Sequence, residues 1–554
     1  MSLSSYDDGN TPAEKENDAP LRFGGLSPKL VLLCALVAFG SNWQFGYQMS
    51  YVNTAESAIH QLLTLSYGSD TNSSSMPRDL WYLQWSMCVA SFYPGAIIGF
   101  LLVPAALRKP WPFCHSEQYG RLSPPPYRGF LSCFQQLAVA ATSLTGMIMG
   151  SPQVVDVRTG FEVLQLIALI PTLGFVLLLF FLPDTPHHHF HRSRHTAKYS
   201  TVIPPATRSF SSSQHWSKGE EVLLFYYGRK QEHLLDHWTL SILREKGEMS
   251  FRGDFHLRDL FCPPSAKREQ ERADDRTAQH LEGRLVRRGF LIGCLAALSY
   301  AFTADDLIDS FSSEIFRDDV VVASSVGAPD LATLFTLLLG AVLLLTSLVG
   351  CWTEERLGRR LSLIGGLLGT AVTNSIAVLA LAIGNGQVGS TYACVVALCF
   401  TKAFIGLGAG APAWFLTSEL VLAPARAHAQ AISTALLLAN NGLGTMLFML
   451  MEETLGSYAL LVLAVIPALV SALVLFRYQP ESRGKSAEQI LRALWDRKEG
   501  RRIAKEHGDY FLLSDFEDED DDRNYGTFST ARKKRRGSGD SGIGISKLNM
   551  NNYD

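Results

Sequence analysis

The chain has 554 residues, of which 47% are hydrophobic and 18% charged, and its formal net charge at pH 7 is −3. This composition favours a membrane protein, because a helix that crosses a bilayer requires roughly 20 predominantly apolar residues. Walker A, HExxH and nucleophile-elbow patterns are absent. We therefore expect no enzyme, no catalytic residue, no bound cofactor or metal, and no nucleic-acid partner.

Apolar segments long enough to cross a bilayer follow one another along the chain, and we count about ten of them. They begin near Lys29, Trp81, Gly129, Phe161, Gly289, Leu331, Leu361, Thr391, Gln430 and Tyr458. An even number of spans places both termini on the same side of the membrane. The polar residues 1–20 carry no cleavable signal pattern, so the first span is expected to direct insertion.

The basic residues of the short loops indicate which side that is. One set of loops carries most of them, namely Arg108, Lys109, Arg121, Arg128, Arg356, Arg359, Arg360 and Arg426, and the other set carries only Arg78, Arg158 and Arg317. The arginine-rich loops and both termini are therefore predicted to be cytosolic. The sequon Asn72-Ser73-Ser74 lies in the first outer loop, so we predict that Asn72 is glycosylated.

Two polar stretches divide the chain. We predict a cytosolic N-terminal tail (1–28), a front membrane half (29–183), a cytosolic linker (184–288), a back membrane half of six helices (289–478) and a largely disordered cytosolic tail (479–554). The linker opens with clustered histidines at 187–191. Their consecutive rings point in different directions, and no cysteine accompanies them, so a solvated loop is favoured over a metal site.

The C-terminal tail combines an acidic block at 517–522 with a basic block at 532–536, a polarity that argues against a packed core. Residues 535–538 (RRGS) resemble a basophilic kinase site, and residues 540–546 (DSGIGIS) resemble a phosphodegron. These motifs predict contacts of the tail with a kinase or a ubiquitin ligase, although such short motifs also arise by chance.

Residues 401–426 form an apolar, glycine-rich segment that contains Trp414 and ends with Glu419 and Arg426. A carboxylate and a guanidinium at the cytosolic end of membrane helices join two helices reversibly, as a gate requires. Such residues recur on other cytosolic turns, and the predicted gate comprises Glu355, Arg356, Arg359, Arg360, Glu419, Arg426, Glu481 and Arg483. The alternative is that these arginines only set the topology.

Five short motifs, in order along most of the chain, carry a resemblance to a known family. They are residues 40–47 (GSNWQFGY), 130–137 (FLSCFQQL), 183–186 (PDTP), 355–360 (ERLGRR) and 480–485 (PESRGK). The chain resembles the sugar-porter branch of the major facilitator superfamily, and in particular the animal facilitative glucose transporters. The resemblance implies an all-α membrane protein with the major facilitator fold, a hexose-like substrate and a plasma-membrane location.

The chain also departs from that family. Where the family has its third and fourth helices, only residues 108–127 intervene, and their prolines and charges would leave backbone groups unsatisfied in hydrocarbon. Both helices are therefore predicted to be missing, which leaves four helices in the front half and about ten in all. Loss of a pair preserves the orientation of every later span.

The sugar site that the resemblance implies is eroded. Of the family's substrate-binding residues, Gln136, Trp414 and Asn441 remain, whereas the paired glutamines of its seventh helix are replaced by the segment 300–306 (YAFTADD). Each hydroxyl left unpaired in a dry site costs roughly 1 to 3 kcal/mol. A hexose is therefore expected to bind with low affinity.

Asp305 and Asp306 are a new feature at that level, and Asp309 follows them. Intramembrane carboxylates act as proton carriers or as counter-ions to cationic solutes, so the pair is a possible proton or cation site. The alternative is that the helix breaks there and the carboxylates are solvated.

The sequence as a whole predicts a transporter that takes up a hexose or a similar small polyol by alternating access. Its partners would be the small-molecule substrate and the lipid bilayer. Two alternatives stay open: a sensor or interaction protein that no longer transports, favoured by the missing helices and the motif-bearing tail, and a proton-coupled carrier of an altered solute.

Overall fold

A computed structural model describes the protein at residues 27–71, 76–107, 128–151, 153–154, 160–181, 214–227, 273–320, 331–384, 388–421, 423–485, 490 and 493–494. All of them belong to one compact unit that ends at Leu494. The second unit, Trp495–Asp554, lies outside the described residues, as do Asn72, the histidine cluster of the linker and the segment 108–127.

The described part of the front half consists of seven helices, and an eighth lies in the linker. They are α1 Pro28–Thr54, α2 Glu56–Thr71, α3 Arg78–Ala90, α4 Phe92–Leu107, α5 Arg128–Ser132, α6 Phe134–Met149, α7 Gly160–Phe181 and, in the linker, α8 Gln214–Tyr227. Successive pairs in this half form single spans: α3 with α4, and α5 with α6.

The back half continues with eight helices and three short segments of altered pitch. The helices are α9 Ala273–Ala301, α10 Asp305–Val320, α11 Leu331–Leu357, α12 Arg359–Gly384, α13 Val388–Phe404, α14 Gly410–Leu420, α15 Ala423–Leu455 and α16 Ile466–Tyr478. Two π-helical segments, Ile405–Ala409 and Leu461–Val465, and a 3₁₀ turn, Gly456–Tyr458, connect some of them.

Every regular element in the described residues is helical, which confirms the predicted fold class. Nine of the described stretches are long and apolar enough to cross a membrane, and a shorter apolar one, Glu162–Leu178, lies within α7. Large apolar side chains are exposed along these stretches, as a lipid solvent allows.

The front half packs tightly within itself and also against the back half. Helix α1 packs along α6, and Gly46 of α1 lies so close that an added Cβ would meet the Thr142 hydroxyl at 2.0 Å. Helices α3 and α4 pack mainly on α15, where the ring of Tyr93 covers Gly442 and its hydroxyl lies 3.4 Å from that of Thr445. The second span is thus anchored on the back half.

The span formed by α9 and α10 is broken at Phe302–Ala304, where Ala304 has φ of 67°. The break frees backbone groups that hydrocarbon cannot satisfy, and side chains replace the lost partners. The Thr303 hydroxyl accepts a hydrogen bond from the Asp305 N–H at 3.3 Å, and the Asn374 amide donates to the Thr303 carbonyl at 3.0 Å. The break places Asp305 and Asp306 in the first turn of α10 inside the bundle, where both are buried.

Candidate functional site

Three groups of polar side chains lie inside the bundle, and the first surrounds the start of α12. The Glu481 carboxylate accepts hydrogen bonds from the backbone N–H groups of Arg359 at 3.0 Å and Arg360 at 3.1 Å. A carboxylate at this position satisfies donors that the first helical turn leaves free and complements the helix dipole. Gly358 makes the approach possible, since it has φ of 84° and an added Cβ would lie 2.7 Å from Glu481.

The Arg359 side chain is the centre of this group. It is 4% exposed, and it pairs with Glu355 at 3.3 Å and with Glu419 at 3.7 Å. Glu419 in turn accepts a hydrogen bond from the Ser482 hydroxyl at 2.6 Å. Arg359 also touches the front half, because a Cβ added to Gly129 would lie 1.7 Å from its guanidinium. We call this end of the bundle the gate end.

Two other arginines of the predicted gate bind backbone carbonyls of the back half. Arg360 donates to the Phe476 carbonyl at 2.6 Å, and Arg483 donates to the Arg356 carbonyl at 2.7 Å. The Arg356 guanidinium lies 3.8 Å from the centre of the Trp352 ring. These contacts stiffen the turn before α12.

Arg426 lies near Glu419 in sequence, and it makes a local contact with the backbone of its own segment. Its Nε donates to the Val421 carbonyl at 3.2 Å. The guanidinium that approaches Glu419 is that of Arg359, which comes from a different helix. At the gate end, Arg359 therefore pairs both with Glu355 of the preceding turn and with Glu419, which is distant in the sequence.

The second group is an ion triad in the membrane core, formed by Lys402 of α13 with Asp305 and Asp309 of α10. The Lys402 ammonium donates to Asp305 Oδ1 at 2.6 Å, to the Asp305 carbonyl at 3.2 Å and to Asp309 Oδ1. Three contacts use all three N–H donors of an ammonium. Lys402 is 0% exposed, so it is a fully satisfied internal cation, and its single positive charge is shared between the two carboxylates.

The same polar region joins the two halves. Asp309 accepts a hydrogen bond from the Ser143 hydroxyl of α6 at 2.9 Å. Asn53 of α1 donates to the Ser312 hydroxyl at 2.9 Å and accepts from the Ser313 N–H at 3.1 Å. Helix α10 is thus bound through polar contacts to both α1 and α6.

Asp306 lies apart from the triad and accepts a hydrogen bond from the Asn441 amide. Within the part of the chain that the structure describes, no lysine, arginine or histidine forms an ion pair with it. Asp306 and Asn441 line a cavity of about 150 Å³. The cavity lies between α9, α10, α15 and the start of α16, and its walls also include Leu307, Leu447 and Leu463.

The third group contains Gln136 and Trp414, which the structure brings together. The Trp414 indole N–H donates to Gln136 Oε1 at 3.1 Å, while the Nε2 of Gln136 is buried and has no hydrogen-bond partner among the described residues. Phe45 and Tyr300 pack on the indole at centroid distances of 5.4 and 5.6 Å. Asn441, the third predicted sugar ligand, is instead bound to Asp306.

Sequence reasoning missed Lys402, although a signal was present. It is an isolated lysine in an otherwise apolar span, and an intramembrane cation requires an anionic partner. The aspartates of α10 carry the matching charge. Glu354 was also missed; it is 1% exposed and adds a third carboxylate near Arg359.

This architecture defines a multi-pass helical membrane protein with ion pairs between helices at one end and a buried polar centre. A family model described as sugar (and other) transporter matches residues 119–215 and 264–494, which is more than half of the chain. The chain therefore belongs to this transporter family.

Individual relatives agree with that assignment. The chain is 22% identical over 518 residues to solute carrier family 2, facilitated glucose transporter member 3, of Rattus norvegicus, with 84% of this chain and 93% of the relative covered. It is 23% identical to facilitated glucose transporter protein 1 of Caenorhabditis elegans, with coverage of 84% and 91%.

A solved structure of the major facilitator superfamily proton:xylose symporter XylE, bound to 6-bromo-6-deoxy-D-glucose, has a similar fold. The TM-score is 0.61 at 17% sequence identity, with 84% of this chain and 99% of the symporter covered. The likeness establishes the major facilitator fold for this chain.

Proposed function

We propose that the protein transports a hexose or a similar small polyol by alternating access. One observation carries the proposal: the Arg359 guanidinium is buried against Gly129 of the front half while it pairs with Glu355 and Glu419. Arg359 thus ties helix ends of the back half together at the point where they pack against the front half, and such a contact holds one end closed and is released when the halves rock.

The hexose-like substrate is proposed from the Gln136 and Trp414 pair. The unpartnered Nε2 of Gln136 supplies a donor for a sugar hydroxyl, and the Trp414 indole supplies an apolar face for the ring. The relatives named as glucose transporters, and the symporter bound to a glucose analogue, support the same class of solute. Asn441 would join this site only by leaving Asp306.

We expect vesicles that contain the purified protein to take up radiolabelled hexose, and we expect Gln136→Ala to lower kcat/KM. The loss of one buried hydrogen-bond partner costs about 1 to 3 kcal/mol, or roughly 5- to 150-fold. Gln135→Ala is the matched control, because Gln135 is the buried neighbour on the same helix and points about 100° away. Equal losses in both variants would contradict this role of Gln136.

Two alternative functions keep specific support. The aromatic packing of Phe45 and Tyr300 on Trp414 fills space beside the proposed sugar site, which favours a sensor that no longer transports. An absence of hexose uptake in every condition, from protein that is correctly folded, would support that sensor. Asp306, which has only an amide contact beside a cavity, favours proton coupling or a cationic solute.

The proton-coupled alternative predicts that uptake rises with an inward proton gradient, because a carboxylate buried in the membrane requires a proton or a cation. Asp306→Asn should abolish the dependence of uptake on external pH. Asp305→Asn should leave the dependence in place, since Asp305 is already neutralised by Lys402. Uptake that does not depend on external pH in the unmodified protein or in either variant would rule out proton coupling.

The remaining predictions about location are proposals that accompany this function. The gate end, both termini and the linker would face the cytosol of a plasma-membrane protein, and Asn72 would carry a glycan on the outer side. The tail would be the part that contacts a kinase or a ubiquitin ligase. All follow from the arginine distribution and the short motifs of the sequence.

A further inference from the structure

Two cysteines from opposite halves meet at the seam, close to the gate end. Cys133 lies between α5 and α6 of the front half, and Cys351 lies in α11 of the back half. Both are buried, at 1% and 5% exposure, and their thiols lie close enough to interact electrostatically. They also belong to the same apolar cluster. None of the contacts proposed for transport uses either thiol.

The packing of α5 and α6 against α11 explains why these two positions coincide. A Cβ added to Gly129 would lie 2.3 Å from Glu355, so these two positions are in contact. Cys133 follows Gly129 by about one helical turn, and Cys351 precedes Glu355 by about one turn. About three turns beyond them, a Cβ added to Gly340 would lie 3.7 Å from the Cα of Leu144. The segments run antiparallel in close contact on both sides of the cysteines, so the helix register sets the pairing.

We propose that Cys133 and Cys351 form an oxidisable dithiol, a modification site at which a disulfide joins the two halves. Closely packed backbones and facing side chains are the requirements for such a bond. In the reaction with a peroxide, the two thiols lose two protons and two electrons as the S–S bond forms. One hydrogen peroxide accepts them and becomes two waters.

The burial of both thiols sets the order of opening, oxidation and closure, and this order rests on the proposed alternating access. Both thiols are inaccessible while Arg359 holds the seam closed, so peroxide reaches them when the gate end opens. Oxidation of one thiol to a sulfenic acid, followed by closure, brings the second thiol to it and forms the disulfide with loss of water. The bond then keeps the gate end closed, and a small thiol such as glutathione restores both cysteines by exchange.

The test uses the full-length protein in lipid vesicles, treated with hydrogen peroxide and digested without reduction for peptide mass spectrometry. We expect a linked pair of peptides that contain Cys133 and Cys351, which disappears after dithiothreitol. Cys133→Ser and Cys351→Ser should each abolish the linked pair. Cys294→Ser is the matched control, because Cys294 is also buried in a membrane span, and it should behave as the unmodified protein.

Uptake provides the second readout. Peroxide should remove most of the hexose uptake of the unmodified protein and of Cys294→Ser, and dithiothreitol should restore it, whereas the Cys133→Ser and Cys351→Ser variants should keep their uptake. If the gate end opens and closes but the protein transports no hexose, the linked peptides still form, so failure of the proposed hexose transport is distinguishable. Absence of the linked pair, or equal inhibition of all variants, would overturn the proposal.

Discussion

We expect the Lys402→Met variant to lose about 3 to 5 kcal/mol of its free energy of unfolding, the cost of leaving buried charges without their partner. Lys402 is fully buried and donates to both Asp305 and Asp309, so its removal leaves two carboxylates in the membrane core without a cation. Thermal unfolding of the purified protein in detergent, followed by the loss of monodisperse protein, measures the effect.

Two variants sharpen this experiment. Lys29→Met removes an exposed lysine near the start of α1, whose ammonium lies 3.4 Å from the centre of the Phe225 ring, and should cost no more than about 1 kcal/mol. Adding Asp305→Asn and Asp309→Asn to Lys402→Met removes the uncompensated charges and should recover part of the lost stability. A Lys402→Met protein that unfolds like the unmodified one, or a triple variant less stable than Lys402→Met, would refute the triad as a stabilising unit.

Replacing Arg359 by glutamine should open the gate end. The variant keeps the backbone N–H that donates a hydrogen bond to Glu481. It loses the positive charge that pairs with Glu355 and Glu419 next to Gly129. Each 1.4 kcal/mol lost from the closed state shifts the population about tenfold towards the open one. Cys133, which is 1% exposed in the closed seam, should then be alkylated by N-ethylmaleimide about tenfold faster or more.

Arg360→Gln is the control for that measurement. It removes the same charge from the neighbouring residue, whose guanidinium binds the Phe476 carbonyl within the back half. Peptide mass spectrometry after timed alkylation gives the rate at Cys133 in each variant, and we expect Arg360→Gln to match the unmodified protein. Hexose uptake should fall in Arg359→Gln, because the return to the closed state is disfavoured. Equal alkylation rates in the unmodified protein and both variants would contradict the gate.

The gate shows how far sequence motifs lead. The turn at 355–360 and the signature at 480–485 were recognisable because their residues are close together in the chain and their chemistry is local. The structure adds how they act: Glu481 caps α12, and Arg359, rather than Arg426, approaches Glu419. Which of several arginines meets a given carboxylate depends on how the helices cross, and the loop sequences do not encode that.

By itself, the amino-acid sequence determined that this is an all-helical membrane protein related to sugar porters, because apolar length and short motifs are local properties. The sequence also showed a run of polar residues at Asp305, where the structure has a break in the span. Only the tertiary structure decided that Lys402, 97 residues away, neutralises Asp305 and that Asn441 binds Asp306. It likewise decided that Cys133 and Cys351 come close together in one apolar cluster. These contacts depend on the rotation and register of packed helices, which the whole set of contacts fixes together.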